Sequence, residues 1–334
     1  MSSRSAIVLA QERGSADHFP GVCEAINARG GRAERALTDE PLRLGPGDVL
    51  CVSDTRSFTA QYALRRARAA GACCVLLMDG IVEYRNTFRN PRSGAGFLRP
   101  APVDVVACAG PNDAAILRQL GNDAVATGLP RLSALQALPP AAEPRALVAT
   151  ALQPYLDDDE RRTLLDALTR IRDALVEAHI PIEWRLTGDL ADDVAGAGSS
   201  VARAGRGESG SLHDALARAS LVICSPSTLL VEAMLTGRPT AMLFPFDAPR
   251  WPRAPVTIDA AALADPAALL GAIGELANPP AGMGARQREA LEQMHAPGDP
   301  AGNLADLLLE VSAAPRRRSH ASVSLDPRRL PLRC

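Results

Sequence analysis

Sixteen residues, Cys224–Pro239 (CSPSTLLVEAMLTGRP), concentrate the groups in this chain best suited to hold an anion and a diol. A short apolar run, Leu221–Cys224, leads into Ser225-Pro226-Ser227-Thr228, and an apolar helix-like stretch then carries one acid, Glu232. Ser225 or Ser227 stands where that helix needs its N-cap. The amides of its first turn, with the helix dipole behind them and Ser/Thr hydroxyls beside them, make an anion site. Thr228 and Glu232 are four apart and share a helix face. A carboxylate one turn beyond a phosphate can accept hydrogen bonds from the two vicinal hydroxyls of a ribose. Gly237 supplies a left-handed helix end, and Pro239 opens the next strand. Taken singly, the serines are ordinary caps and Glu232 a solvated acid. Taken with the preceding strand and the Gly-x-Pro ending, the stretch reads as a nucleotide site.

Positioning such groups takes a buried sheet, and the chain has the composition for one. Hydrophobic residues make up 47% of 334, while aromatics are only 3%, so the cores must be built from Ala, Leu and Val. Short apolar runs at Ala6–Leu9, Asp48–Ser53, Ala72–Met78, Val103–Cys108 and Ala124–Thr127 predict strands in the first half. Ala146–Thr150, Ile182–Leu186, Leu221–Cys224 and Thr240–Phe244 predict them in the second. Helical stretches fall between them at Ser57–Ala70, Asn112–Leu120 and Asp157–Ala178. In the last, Leu164, Leu168, Ile171 and Leu175 form one stripe behind the capping acids Asp157, Asp158 and Asp159. Near-continuous apolar strands alternating with helices mean parallel sheets covered on both faces. The alternation breaks at the proline-rich Leu135–Arg145 and then starts afresh. The expected fold is therefore α/β, with two doubly wound Rossmann-like domains, residues 1–138 and 139–314, followed by a basic tail at 315–334 that composition reads as disordered. Ligands in such sheets bind outside the carboxyl ends of the strands.

Leu212–Pro245 (LHDALARASLVICSPSTLLVEAMLTGRPTAMLFP) resembles the donor-binding signature of GT-B glycosyltransferases and their capsule- and polysaccharide-type relatives. That signature runs helix, strand, Ser/Thr-rich turn, helix with Glu, Gly-basic-Pro, strand. Val125–Leu135 (VATGLPRLSAL) is similar to the end of the N-terminal domain in the same superfamily. The resemblance implies a GT-B-like pair of Rossmann-like domains facing a cleft. The C-terminal domain would hold a nucleotide-sugar donor, and the acceptor would approach the N-terminal one. By position, Ser225, Ser227 and Thr228 would meet the phosphates and Glu232 the ribose. Gln153, in the loop after Ala146–Thr150, and Thr187-Gly188, after Ile182–Leu186, would line the nucleotide. Ordinary turn chemistry is the alternative for both loops. Leu243–Asp247 would border the base or sugar.

A transfer to a hydroxyl also needs a group to take its proton. Asp79 and Glu83, in Met78–Asn86 (MDGIVEYRN), follow the strand Ala72–Met78, and His18 and Asp17 lie in the loop after the first strand. Asp79, Glu83 and His18 are the candidate bases. An Asp-Gly turn, a capping Asp17 and a surface histidine are the bland alternatives. Asp79-Gly80 stands where relatives that transfer polyol phosphates carry His-Gly. Arg85, Arg89, Arg92 and Arg99 suggest a loop that touches acceptor or phosphate, although arginine is the chain's only strong base, since it has no lysine.

A net charge of -2 and a pI near 6.2 give no case for nucleic acid. The seven cysteines lack metal spacing and lie mostly in apolar runs, as in a reduced, cytoplasmic protein without a metal or disulfides. No apolar run is long enough to span a membrane, which leaves peripheral association at the inner membrane face through a surface patch. The reading is a metal-independent glycosyltransferase with no cofactor. It moves sugar from a nucleotide-sugar donor to a glycan, lipid-linked or other hydroxyl acceptor. The alternatives are a non-catalytic nucleotide- or partner-binding protein of the same fold, a polyol-phosphate transferase, and a sugar-nucleotide 2-epimerase. Epimerases usually carry a Gly-Gly-x-x-Glu-Glu-like turn, from which Ser225–Glu232 departs. Base, sugar, acceptor, stereochemical outcome and oligomeric state are not encoded legibly.

Overall fold

The computed structural model describes residues 6–89, 98–135, 137–151, 156–186, 190, 193–194, 201–203, 211–246 and 254–314. Within these, the chain divides into two compact units. The first comprises residues 6–79, 98–133 and 296–314, and the second comprises 80–89 with the described part of 134–295.

In the first unit, six parallel strands form one sheet: β1 (Ile7–Gln11), β2 (Ala33–Leu37), β3 (Val49–Val52), β4 (Cys73–Leu77), β5 (Val105–Cys108) and β6 (Ala124–Ala126). Their spatial order is β2-β1-β3-β4-β5-β6, so the winding reverses between β1 and β3. β3 and β5 are fully buried, as their continuous apolar runs require. β2 (AERAL) has no such run; it is a half-exposed edge strand defined by its pairing with β1. The helix Phe58–Ala70 starts from Ser57, whose hydroxyl accepts from the Ala60 N–H, and ends at Gly71 with φ 78°.

The second unit repeats the plan with β7 (Ala146–Ala149), β8 (Ile182–Leu186), β9 (Val201–Arg203), β10 (Leu221–Cys224), β11 (Thr240–Phe244) and β12 (Val256–Asp259). Their order is β12-β11-β10-β7-β8-β9, all parallel, with the reversal between β7 and β10. The helix Asp158–Glu177 carries the predicted stripe, all buried, and Asp157 closes a capping box with Glu160.

A single cut after residue 138 does not describe these units. The last described helix, Pro300–Ala313, packs Leu304, Ala305, Leu307 and Leu308 into the core of the first sheet, beside Val22, Ile26 and Val49. Its apolar face is buried there, each leucine contributing about 1.5–3 kcal/mol. Residues 80–89 likewise belong with the second unit. The tail 315–334 lies outside the described residues. Among the described residues no helix is long and apolar enough to cross a membrane.

Candidate functional site

In the second unit Cys224–Pro239 folds at the point where the winding reverses. β7 and β10 are neighbours there, and their carboxyl ends diverge toward helices on opposite faces, the usual place for a ligand crevice. Ser225 ties the two ends together. Its N–H donates to Ala149 O at 3.1 Å, and its Oγ accepts from the Ala151 N–H at 2.8 Å. Neither serine caps the next helix, Thr228–Leu235, through its side chain. Ser227 holds the N-cap position, but its hydroxyl donates to Ser225 O at 3.2 Å. The predicted capping role is thus replaced by one that shapes the turn: the Leu230 N–H donates to the Ser227 carbonyl at 3.0 Å, and no serine hydroxyl caps the helix amides.

Thr228 opens that helix. Its Oγ1 accepts from the Ile81 N–H at 3.4 Å, which leaves its own proton free to point at an incoming anion. Gly80 lies against the same oxygen, and a methyl group there would overlap Thr228 Oγ1. Gly80→Ala is therefore expected to cost about 1–3 kcal/mol by overpacking, measured as a lower denaturant midpoint. A Thr228→Ala background should recover most of that loss in a double-mutant cycle. An unchanged midpoint in the single variant would refute the contact.

Glu232 is one turn further along and only 7% exposed, flanked in the helix by buried Val231 and Ala233. It is not the solvated acid of the bland alternative. Burial pushes the Cys224 thiol up, and the charge of Glu232 adds to the rise, so the carboxylate sits close to the end of β10. Arg238, the basic residue of Gly-Arg-Pro, has a structural task that the sequence does not disclose. Its buried guanidinium donates to Leu216 O at 2.9 Å and Ala217 O at 3.1 Å, closing the end of helix Leu212–Arg218. Gly237 has φ 77°, as the left-handed helix end requires. Gln153, Thr187 and Gly188 lie outside the described residues, as does Arg92.

Arg85 overturns the expectation of a ligand-facing arginine. It is 4% exposed, donates to Glu160 Oε1 from Nε (3.2 Å) and Nη2 (2.9 Å), and stacks 4.0 Å from the Phe246 ring centroid. Phe246 in turn meets Phe244 edge-on at 5.7 Å. Arg89 donates to the same carboxylate oxygen at 2.9 Å. Burial works against the charged form of Glu160 most strongly of any single cause, but the hydrogen bonds from Arg85 and the Asp157 N–H and the charges of Arg85 and Arg89 together outweigh it and hold the carboxyl below its usual range. This network fixes residues 80–89 to the Asp158–Glu177 helix. Glu83, on the same segment, is 8% exposed and belongs to the second unit, whereas His18 and Asp79 belong to the first.

Those two do come together. At the reversal point of the first sheet, the loops after β1, β3 and β4 bring His18, Asp54 and Asp79 into one electrostatic neighbourhood with Asp17 and Arg131. The His18 N–H donates to Gln11 Oε1 at 3.3 Å, while its ring Nδ1 is buried without a hydrogen-bond partner. Burial pulls the His18 pKa down from 6.5, against the upward pull of Asp79. Asp17 is engaged elsewhere: its carboxylate binds the Arg35 guanidinium and accepts from the Phe19 N–H at 2.9 Å. Asp54 accepts from the Ser57 N–H at 2.8 Å and pairs with Arg56, while Thr55 Oγ1 is a second buried atom without a partner. Arg131 donates through Nε to Asp79 O at 3.1 Å, bracing that loop. Arg131 was not legible as a site residue, because only the fold brings it beside His18. Among the described residues no group of three or more His, Cys, Asp or Glu converges as a metal site.

No family model and no curated protein matches the chain by sequence. Solved structures do match. A Methanocaldococcus jannaschii UDP-GlcNAc 2-epimerase in complex with UDP-GlcNAc and UDP shares 10% identity over 91% of this chain and 99% of that one, with a TM-score of 0.58. A UDP-forming α,α-trehalose-phosphate synthase from Burkholderia vietnamiensis shares 11% over 93% and 98%, with a TM-score of 0.54. The glycotransferase of kitacinnamycin shares 14% over 92% and 99%, with a TM-score of 0.52. At these identities the likeness is one of fold, and the fold is GT-B: α/β, with two Rossmann-like units.

Proposed function

We propose that the protein is a glycosyltransferase that takes a sugar from a nucleotide-sugar, with UDP as the nucleotide, and passes it to a hydroxyl acceptor. One observation carries the reading. At the reversal point of the second sheet, Ser225 pins the ends of β7 and β10 and leaves the amide end of the Thr228–Leu235 helix uncapped by a side chain. That is a place for a diphosphate, with the Thr228 hydroxyl as a further donor and Glu232 one turn on for the ribose. UDP is favoured because the epimerase of the same fold is described with UDP-GlcNAc and UDP, and the synthase as UDP-forming.

In the reaction proposed, His18 takes the proton of the acceptor hydroxyl as that oxygen bonds to the anomeric carbon. The bond from that carbon to the diphosphate breaks, and the nucleotide leaves with its electron pair, its charge met by the helix amides. Its lowered pKa keeps His18 neutral near pH 7, as a base must be.

Thermal-shift measurements with UDP, GDP, ADP, CMP and CDP test the reading. A ligand at 100 times its Kd stabilises the folded state by about 2.7 kcal/mol, so the expected result is a rise in Tm with UDP that the other nucleotides do not match. No rise with any of the five would overturn the proposal. Conversion of a UDP-sugar to its epimer without nucleotide release would assign the chain to the epimerases instead.

A further inference from the structure

The helix Phe58–Ala70 buries Ala60, Ala63, Leu64 and Ala67 against β3 and β4. Its other face is unusual in a chain that has so few aromatic residues. Phe58 is 77% exposed and Tyr62 52% exposed, one turn apart on one face. Their rings are stacked, 6.5 Å between centroids and 11° between planes. Arg65 and Arg66 continue the stripe at i+7 and i+8 from Phe58, and the Arg66 guanidinium lies 5.8 Å from the Tyr62 centroid. No acidic residue occurs anywhere in the helix, and among the described residues neither Arg65 nor Arg66 pairs with a carboxylate.

We infer that this face is a docking surface for an anionic lipid bilayer. The charge is complementary only to an anion, and the two rings need an apolar partner at the same time. A bilayer interface offers both at matching depths: phosphates for the guanidiniums, and the headgroup–acyl boundary for the rings. A neutral glycan can stack on the two rings but offers no anion to Arg65 and Arg66. Nucleic acid suits the rings, but the chain's net charge of -2 supplies no wider basic field to hold it. The inference stands independently of the proposed reaction, because every residue in it is outside the nucleotide and base sites.

Co-sedimentation of the full chain tests it, using vesicles of phosphatidylcholine alone and of phosphatidylcholine mixed with phosphatidylglycerol. Binding is expected to the mixed vesicles only, and to weaken as salt is raised. Phe58→Ser/Tyr62→Ser and Arg65→Gln/Arg66→Gln should each lower the vesicle partition coefficient by about tenfold or more. Both should melt at the wild-type temperature and keep wild-type nucleotide affinity, since all four side chains are solvent-facing. Arg316→Gln/Arg317→Gln/Arg318→Gln, in the basic tail, is the control and should leave most binding intact. The inference is overturned if the aromatic pair can be replaced without loss, or if the tail variant alone abolishes binding. It is also overturned if the protein binds dextran sulfate but not vesicles, or if Phe58→Ser/Tyr62→Ser dissociates a dimer in sedimentation velocity while vesicles are never bound.

Discussion

Replacing His18 with alanine is expected to lower glycosyl transfer by about 10²- to 10⁴-fold, the usual contribution of a positioned general base. Nucleotide affinity should stay near wild type, because the residues proposed to hold the nucleotide are in the other unit. The expectation rests on three features of His18: a buried, unpartnered Nδ1, a place where the winding of the first sheet reverses, and a pKa pulled below 6.5 by burial. The last fixes the pH dependence. The active form is the neutral ring, so kcat/KM should be level near pH 7 and fall as pH drops through a value below the ordinary histidine range. Asp79 favours the charged ring, so Asp79→Asn removes that pull and should move the acid limb to still lower pH. The direction of that shift separates the two candidates. If Asp79 were itself the base, Asp79→Asn would abolish turnover instead of displacing the profile, and His18→Ala would retain most of it. A wild-type rate in His18→Ala would end the assignment.

The sequence was most readable where local chemistry and tertiary structure agree. Leu221–Cys224 and Thr240–Phe244 are strands with the predicted bounds, because a strand buried on both faces is nearly continuous in apolar residues; the one polar side chain, Thr240, donates its hydroxyl to Arg238 O at 2.7 Å. Gly237 was legible because only a left-handed residue ends the helix there. β2 was not, since AERAL has the composition of a helix and becomes a strand only by pairing with β1. The return of Pro300–Ala313 to the first unit was equally hidden: its leucine stripe states that a face is buried, not against which sheet. The same limit applies to the sites. Ser225, Thr228 and Glu232 are close in sequence and could be grouped by spacing. Arg85 looked like a free cation, because its partners Glu160 and Phe246 are 75 and 161 positions away by their numbering. Spacing identifies groups that share one strand–helix unit; it says little about groups that a crossover brings together.

Glu232→Gln is expected to raise the Kd for UDP by about 10- to 100-fold, the effect of losing a charge-assisted hydrogen bond to a ribose hydroxyl. Glutamine keeps the volume and one acceptor oxygen, so the Thr228–Leu235 helix should stay packed and the melting temperature without ligand should change little. That separation matters because Glu232 is 7% exposed, and a buried acid is as often a structural element as a ligand. The ligand itself supplies the sharper test. If the carboxylate receives the ribose hydroxyls, 2′-deoxy-UDP should bind wild type more weakly than UDP does, and Glu232→Gln should discriminate less between the two nucleotides. The coupling energy of that cycle belongs to the carboxylate–hydroxyl pair. Equal discrimination in both proteins would show that the ribose is held elsewhere. A lower melting temperature with unchanged UDP affinity would make Glu232 part of the scaffold, a carboxylate whose task is to fix its helix against the end of β10.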